Sequence, residues 1–298
     1  MSAGRPARLA VGVVSAGRVG AVVGAALAAA GHRVVAASGV SRASVARADA
    51  LLPGIPLAPP DEVATGADLV LLAVPDDVLS GLVGGLAAAG CFRPGQIVVH
   101  TSGAHGVAVL EPATGRGVLP LALHPVMTFT GRAEDVTRLA GASVAVTATA
   151  GEEPAWSVGE ALVVEMGAEP VRVPEAVRPL YHAALAHGAN HLITLVRDCV
   201  DTLERAGVRP AERLVAPLLS AALDNALRHG DRALTGPVAR GDAGTVAAHL
   251  RELDAVDPDL ARTYRVLAAR TALRAQRSGM LPVHAADEVR ATLEEKEG

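Results

Sequence analysis

The stretch Leu9-Ala-Val-Gly-Val-Val-Ser-Ala-Gly-Arg-Val-Gly20 decides the fold. It opens on a short, apolar, valine-rich run, which predicts a buried strand over residues 9–14. Gly17 and Gly20 follow at the spacing of the second and third glycines of G-x-G-x-x-G, a turn that joins a strand to a helix. The second glycine of that turn lets the backbone approach a pyrophosphate, and the third lets the helix pack on the sheet.

Ser15 occupies the position of the first glycine in this fingerprint. A serine there either strains the tight turn or brings a hydroxyl to the phosphate. Because the motif links a predicted strand to a predicted helix over residues 17–30, we expect a dinucleotide at the helix N-terminus. The contacting residues are then Ser15, Ala16, Gly17, Arg18, Val19 and Gly20. The alternative is a domain of the same fold that no longer binds its cofactor.

The end of the second predicted strand, residues 32–37, bears on the choice of cofactor. Proteins that bind NAD place an aspartate or glutamate there for the ribose hydroxyls. This chain has Ser38, Ser41 and Arg42 and no acid, and such donors suit a 2′-phosphate. We therefore expect NADP(H), although Ser41 would serve equally well as the cap of the next helix.

The order of the remaining elements predicts an α/β doubly wound Rossmann domain over residues 1–173. Its further strands are expected over residues 68–74, 96–100, 117–124, 142–147 and 169–173, with a helix over 153–166. Beyond Pro174 the periodic segments are all helical, over residues 175–206, 211–229, 243–253, 260–277 and 285–295. The sequence therefore predicts an all-helical second domain over residues 174–298.

Three strand ends carry residues suited to ligands, because open α/β sheets bind ligands at their carboxyl edge. Val74 and Pro75 are expected to contact the cofactor, while the following Asp76 and Asp77 also fit a helix first turn. His100-Thr-Ser102-Gly103 follows the next strand, and Ser102 suits a substrate carbonyl or carboxylate. His124, fixed by Pro125, is a candidate proton donor. The alternative for Ser102 and His124 is a capping or core role.

The first helix of the predicted second domain carries a polar stripe. His187, Asn190, His191 and Thr194 share one face at 100° per residue. They would meet a substrate or form a hydrogen-bond network between domains. The His187–His191 spacing resembles that of metal ligands, but without a HExxH glutamate we expect no metal. Further on, Asn225 and Arg240 are candidate substrate contacts, Arg240 as the cation for a carboxylate or else as a surface residue.

Composition excludes several classes of function. A net charge of −4 over 298 residues lacks the basic footprint of nucleic-acid binding. No apolar run reaches the ~20 residues that cross a bilayer. The start of the chain shows no signal peptide, and Cys91 and Cys199 share no motif, so we expect a cytoplasmic protein with reduced thiols. Lys296 is the only lysine, which excludes a P-loop lysine, a Schiff base and a Tyr-Lys pair.

These motifs together resemble the oxidoreductases that join a Rossmann-like domain to the domain of unknown function 2520. The resemblance rests on Ser15–Gly20, Ala73–Asp76, His100–Gly103, His124-Pro125, Tyr181–His191 and Thr235–Asp242. That family is similar to the wider set with a 6-phosphogluconate-dehydrogenase-type helical domain, which includes ketopantoate reductases, pyrroline-carboxylate reductases and prephenate dehydrogenases. The resemblance implies NADP use and a homodimer formed through the helical domain.

The resemblance also bears on the proton donor. Ketopantoate and β-hydroxyacid enzymes carry a Lys-x-x-x-Asn pair on this helix; Asn190 matches its asparagine, but Ala186 stands at the lysine position. We expect NADPH-dependent reduction of a small 2-oxo acid such as ketopantoate. Ser102, Asn190 and Arg240 would orient it, and His124 or His187 would protonate the alkoxide. Gly103, His191 and Asn225 complete the predicted substrate contacts. The alternatives are a cyclic-imine or prephenate-type dehydrogenase and a non-catalytic NADP-binding module.

Overall fold

A computed structural model describes residues 8–294 and contains a seven-stranded sheet in the order β2-β1-β3-β4-β5-β6-β7. Its strands are β1 (Ala10–Val14), β2 (Arg33–Ala37), β3 (Leu69–Leu72), β4 (Ile97–His100), β5 (Leu119–Pro125), β6 (Ser143–Thr147) and β7 (Glu169–Arg172). Each strand begins and ends within about two residues of its predicted bounds, because apolar runs between turn residues mark buried strands well. Two expectations concern residues outside this range. The only lysine is Lys296, and the start of the chain, on which the signal-peptide expectation rests, precedes Arg8.

The strand directions confirm the predicted fold class with one correction. Neighbouring strands from β2 to β5 run parallel. β6 runs antiparallel to β5, and β7 runs parallel to β6, so the sheet is mixed rather than wholly parallel. β1 lies between β2 and β3, which makes the β1–β3 boundary a topological switch point. Ligands of open α/β sheets bind beyond the carboxyl ends of the strands at such a point.

Helices cover both faces of this sheet. They are α1 (Arg18–Ala29), α2 (Arg42–Leu51), α3 (Pro60–Thr65), α4 (Asp76–Ala88), α5 (Glu111–Thr114), α6 (Ala133–Leu139) and α7 (Glu153–Glu165). Val13 and Leu71 point into the core on one face, and Val14 and Leu72 into the core on the other, because successive strand residues alternate between faces. The sequence analysis does not predict α3, α5 or α6, which are too short to display a helical period.

The later part of the described chain contains helices and no strand. They are α8 (Arg178–Arg205), α9 (Ala211–His229), α10 (Gly236–Arg240), α11 (Ala243–Val256), α12 (Pro258–Arg277) and α13 (Val283–Glu294). The chain forms two compact units that divide between Ala186 and His187, inside α8. The second unit has its own core, with Val246, Ala272 and Val289 fully buried. None of the helices in residues 8–294 is long and apolar enough to cross a membrane.

Candidate functional site

The turn between β1 and α1 has the backbone of a glycine turn with a serine in it. Ser15 has φ +75°, the left-handed region, and is the only described non-glycine residue with positive φ. Its amide donates to the Ser38 hydroxyl at 2.8 Å, and the Ala16 amide donates to the Ser38 carbonyl at 2.6 Å. The strain, about 1–2 kcal/mol for a residue with a Cβ, is therefore offset by hydrogen bonds to Ser38, the residue directly after β2.

The two fingerprint glycines are required for different reasons. A Cβ on Gly20 would lie 2.1 Å from the Ser15 carbonyl oxygen and 2.9 Å from the Ala73 Cβ, so only glycine lets α1 pack here. A Cβ on Gly17 would meet nothing nearer than the Ser15 Oγ at 3.5 Å, and its φ of −67° suits any residue. The protein itself therefore does not require Gly17 to be glycine, whereas a ligand that passes closely would.

Beyond this turn lies a cavity of about 450 Å³ at the carboxyl edge of the sheet. α1 begins at its wall with no side-chain cap and no acid in its first turn, so its first amides are free to bind an anion. The cavity is lined by Ser15, Gly17, Arg18, Val19, Ala73, Val74, Pro75, Asp76, Thr101, Ser102, Gly103, His124, Pro125, Met127 and Phe129. It therefore unites the predicted cofactor turn with Ser102, Gly103 and His124, which were predicted from separate strand ends.

The serines proposed for a 2′-phosphate are used within the fold. The Ser38 side chain is buried and accepts from the Ser15 amide. Ser41 forms a reciprocal capping box with Ser44 at the start of α2, which is the alternative that the sequence left open. Arg42 is exposed at the first position of α2. Of the three residues predicted for the 2′-phosphate, Arg42 alone has a side chain without such a structural role.

The segment after β4 is fastened by a buried histidine. The Ser102 amide donates to His100 Nδ1 at 3.2 Å, so the ring proton lies on Nε2, which donates to the Gly106 carbonyl at 2.8 Å. Burial lowers the pKa of His100 to about 4. The Ser102 hydroxyl accepts from the His105 amide at 3.0 Å and retains its own proton for another acceptor. His100 is thus structural, and Ser102 faces the cavity in a fixed orientation.

Arg178, the first residue of α8, holds the same segment from behind. It is fully buried, and its guanidinium donates to the Ser102 carbonyl at 2.6 Å and the His105 carbonyl at 3.0 Å. Its other donors reach the Thr147 hydroxyl and the carbonyls of Ala122 and Ala145. No carboxylate in residues 8–294 forms an ion pair with it. The Arg178 charge, which lies behind the Ser102 backbone, therefore has only neutral oxygens as hydrogen-bond partners.

His124, which lines the cavity, is paired with a tyrosine that does not line it. His124 Nδ1 lies 2.7 Å from the Tyr181 hydroxyl, and the two rings meet edge to face. A Cβ on Gly103 would lie 2.9 Å from His124 Nε2 and 2.7 Å from His182 Cδ2. Gly103 is therefore small because two imidazole rings pack against its backbone. Tyr181 stands one turn after Arg178 on α8, which directs both side chains toward the sheet edge.

Electrostatics keep this pair uncharged. Burial, followed by the charges of Arg178 and His182, lowers the pKa of His124 to about 4. Burial raises the pKa of Tyr181. At neutral pH the pair therefore consists of a neutral imidazole and a neutral phenol. Burial beside a guanidinium is the reason why the imidazole stays neutral.

The predicted residues of the second unit are all exposed. His187, Asn190 and His191 lie on α8, and His187 Nδ1 is 2.9 Å from His191 Nδ1. The described residues contain no group of three ligands that would make this pair a metal site. Asn225 and Arg240 are exposed on α9 and α10. Their roles toward a substrate stay predictions.

The sequence analysis did not assign a role to Arg178 or Tyr181. Both belong to α8, which the helical periodicity places but whose neighbours it cannot identify. The nearest signal was Tyr181-His182 directly before the polar stripe. An arginine at a helix start resembles any surface cation until the structure shows it buried.

Family models match almost the whole chain in two parts. Residues 1–125 match a Rossmann-like domain, and residues 144–271 match a Domain of unknown function (DUF2520). None of the curated proteins matches the chain. The fold and site thus define a Rossmann-like protein with a helical second part. The chain belongs to the family that pairs this Rossmann-like domain with DUF2520.

Solved structures share the fold across nearly their full lengths. A Bacteroides fragilis protein provisionally named an NADP oxidoreductase is 21% identical, with a TM-score of 0.73 over 89% of this chain and 98% of the other. Pyrroline carboxylate reductase from Plasmodium falciparum, with NADP bound, is 11% identical, with a TM-score of 0.58 over 96% and 98%. An imine reductase variant from Myxococcus stipitatus, in complex with NAD+, is 15% identical, with a TM-score of 0.56 over 97% and 100%.

Proposed function

We propose that this protein is a nicotinamide-dependent reductase that uses NADP(H) to reduce a small carbonyl or imine compound. One observation carries the proposal: a single cavity is lined both by the uncapped start of α1 with Gly17 and by His124 of the neutral His124–Tyr181 pair. The first feature suits a dinucleotide phosphate, and the second suits a proton donor beside it. The structural neighbours named as reductases support the same class.

The residues present fit a dinucleotide. Gly17 leaves open the space that a Cβ would fill, and the first amides of α1 point at it. Ser15, Arg18, Val19, Val74 and Pro75 line the same cavity, whereas Ala16 and Gly20 are buried in the turn behind it. When bound, a reduced nicotinamide supplies a hydride to the substrate. NADP is preferred over NAD in this proposal because β2 ends without an acid.

The proton for the reduced substrate comes from the Tyr181–His124 pair. The phenol is neutral and lies at hydrogen-bond distance from an imidazole whose pKa is about 4. The Nε2 proton of His124 passes to the alkoxide or nitrogen anion that hydride addition leaves, and the Tyr181 hydroxyl proton passes to Nδ1, which leaves a phenolate. The phenolate then lies beside the buried charge of Arg178, whose guanidinium carbon is 6.0 Å from the Tyr181 ring centre. His124 therefore takes the role that the sequence analysis assigned to His124 or His187, with Tyr181 as its partner.

Two substrate classes fit the site. A small 2-oxo acid such as ketopantoate would use the Ser102 hydroxyl and the positive charge beneath the Ser102–Gly103 backbone for its carboxylate. A cyclic imine would use the same proton donor and is supported by the names of the neighbours from Plasmodium falciparum and Myxococcus stipitatus. Substrate contacts from Asn190, His191, Asn225 and Arg240 complete either proposal.

The wider organisation is proposed with the function. Residues 1–173 are proposed as the dinucleotide-binding domain, residues 174–298 as the substrate and dimerisation domain, and the cytoplasm as the compartment. A homodimer is proposed because Ile193, Leu218 and Leu227 are 60%, 69% and 80% exposed on α8 and α9. Apolar helix faces of this kind are normally buried against another surface. Light scattering after size exclusion tests the dimer, and an L218E variant should shift it to the monomer.

The proposed reaction is tested by NADPH oxidation at saturating cofactor with ketopantoate, other 2-oxo acids and cyclic imines. Turnover of one class supports the proposal and identifies the substrate. Binding of NADPH without turnover of any compound favours the non-catalytic module. Absence of binding favours a domain that has lost its cofactor.

A Y181F variant tests the proton donor. It removes the hydroxyl that contacts His124 Nδ1, so kcat should fall by ~10²-fold or more with NADPH affinity unchanged. Y264F is the matched control, because Tyr264 makes the same kind of contact with His249 Nδ1, at 3.0 Å, in the second unit. Equal kcat values for wild type, Y181F and Y264F would remove Tyr181 from the mechanism.

A further inference from the structure

Two arginines cross the backbone of the loop between β5 and α6. A Cβ built on Gly131 would lie 2.7 Å from Arg47 Cδ, 2.9 Å from Arg47 Nε and 3.0 Å from Arg18 Cγ. Both side chains therefore rest on the same glycine, one arriving from α1 and the other from α2. Gly131 has φ +79°, so neither its conformation nor its surroundings accommodate a side chain. The absence of a side chain at Gly131 leaves the space that both arginine side chains occupy.

Nothing in the described structure neutralises this pair. Neither Arg18 nor Arg47 takes part in an ion pair within residues 8–294. The acid in the loop, Asp135, accepts instead from the amides of Thr130 and Gly131 at 2.7 and 2.8 Å. Its other oxygen lies 3.7 Å from Arg138. Two arginines whose side chains meet at one glycine, with no carboxylate partner in residues 8–294, suit an anion that contacts both.

The position of the pair indicates which anion. Arg18 is the first residue of α1, directly after Gly17, and lines the cavity. Arg47 is half-buried on α2, the helix that follows the end of β2. The pair thus brings together side chains from the uncapped start of α1 and from α2. A dinucleotide presents its phosphates at the start of the first helix and after the second strand. Ser38 and Ser41 do not fill this role, because their hydroxyls hold the turn and cap α2.

We propose that Arg18 and Arg47, laid over Gly131, bind a phosphate of the dinucleotide as a pair. Arg47 and Gly131 are then specificity-determining residues of the cofactor site, although neither belongs to the fingerprint. The proposal rests on the proposed function for the identity of the ligand. The shared chemistry is a phosphate anion, and its two sources are the pyrophosphate, common to NADPH and NADH, and the 2′-phosphate, present in NADPH alone.

The test measures dissociation constants of NADPH and NADH by calorimetry for wild type, R47Q and R47K. R47Q should weaken binding by ~10-fold or more, since it removes a charge-assisted contact. An equal loss for both cofactors assigns the pair to the pyrophosphate, and a loss for NADPH alone assigns it to the 2′-phosphate. R47K keeps the charge without the planar fork and should lie between wild type and R47Q.

R33Q is the matched control. Arg33 is exposed at the first residue of β2, at the opposite end of that strand from the site, so its loss changes net charge equally and should leave both affinities unchanged. R18Q, at an exposed position, repeats the test if R47Q does not fold. Wild-type affinity in R47Q, or in R18Q where R47Q does not fold, overturns the proposal.

Fragments without a nicotinamide separate this proposal from the proposed function. Calorimetry with ADP and 2′,5′-ADP measures the phosphate site directly. If wild type binds them more tightly than R47Q but reduces no substrate, the reductase proposal fails and the phosphate site stands. If R47Q binds both fragments as wild type does, the phosphate site fails even where the enzyme turns over.

Discussion

Replacement of the two fingerprint glycines by alanine should separate cofactor binding from folding. In G17A the new Cβ has 3.5 Å of clearance and a favourable φ of −67°, so the free energy of unfolding should change by no more than about 0.5 kcal/mol. In G20A the new Cβ would lie 2.1 Å from the Ser15 carbonyl oxygen. Because α1 or the strained turn must then move, we expect a loss of about 1–3 kcal/mol.

The assay pairs thermal unfolding with cofactor titration. For a unit of this size, 1 kcal/mol shifts Tm by roughly 2–4 °C, so G20A should melt several degrees below wild type and G17A at the wild-type temperature. NADPH should bind G17A at least ~10-fold more weakly, because the methyl group occupies space that the phosphate needs, and tenfold is about 1.4 kcal/mol. G24A is unsuitable as a control, since its Cβ would meet Val13 Cγ2 at 2.9 Å; G81A, with nothing within 4 Å, is suitable.

Three results would refute this reasoning. G17A with wild-type stability and wild-type NADPH affinity would show that no ligand passes close to Gly17. G20A with unchanged Tm would show that the turn yields without strain, which contradicts the contact with the Ser15 carbonyl. A G17A variant with a lowered Tm would show that the fold itself requires glycine at position 17, which contradicts the clearance around it.

Three further predictions concern the residues around Ser102 and His124. G103A places a methyl group 2.9 Å from His124 Nε2 and 2.7 Å from His182 Cδ2, so kcat should fall ~10-fold or more while circular dichroism is unchanged; full activity would contradict the packing. His100 and His124 have pKa values of about 4 against an ordinary 6.5, so between these limits the unfolded chain binds more protons. Stability should thus fall as pH falls from 6.5 to 4, by up to about 1.4 kcal/mol per pH unit for each histidine, and thermal melts of H124N should show a smaller slope. R178M leaves buried carbonyls without a donor and should lower stability by about 3 kcal/mol or more in urea titration; R178K should recover part of it.

The sheet was predictable because its information is local. Each strand is a short apolar run between turn residues, and the fingerprint from Ser15 to Gly20 places the switch point. The reversed direction of β6 was not predictable, because strand periodicity carries no direction and the β5–β6 connection contains only the short helix α6. The helices α3 and α5 were not predicted because they are too short to display a helical period.

The candidate site was predictable at strand ends and not beyond them. Ser102 follows β4 and His124 lies near the carboxyl end of β5, so the rule for parallel sheets brings them to one edge. Tyr181 and Arg178 reach that edge through packing of α8, which no local pattern encodes. Arg47 is harder still, because its neighbour Gly131 belongs to a loop far along the chain.

Residues 101–106, which follow β4, lie in no helix or strand, yet side chains hydrogen-bond to the backbone of this loop. The Ser102 amide donates to His100, the His105 amide to the Ser102 hydroxyl, and the amide of the next helix's first residue, Val107, to Glu175. Arg178 donates to the carbonyls of Ser102 and His105. In hydrogen-exchange terms this segment belongs with the sheet rather than with surface loops. Its amides should open cooperatively with the middle of β5 and of β6, since the Arg178 guanidinium contacts the backbone of all three. The slowest-exchanging loop of the molecule should then be the one that faces the substrate.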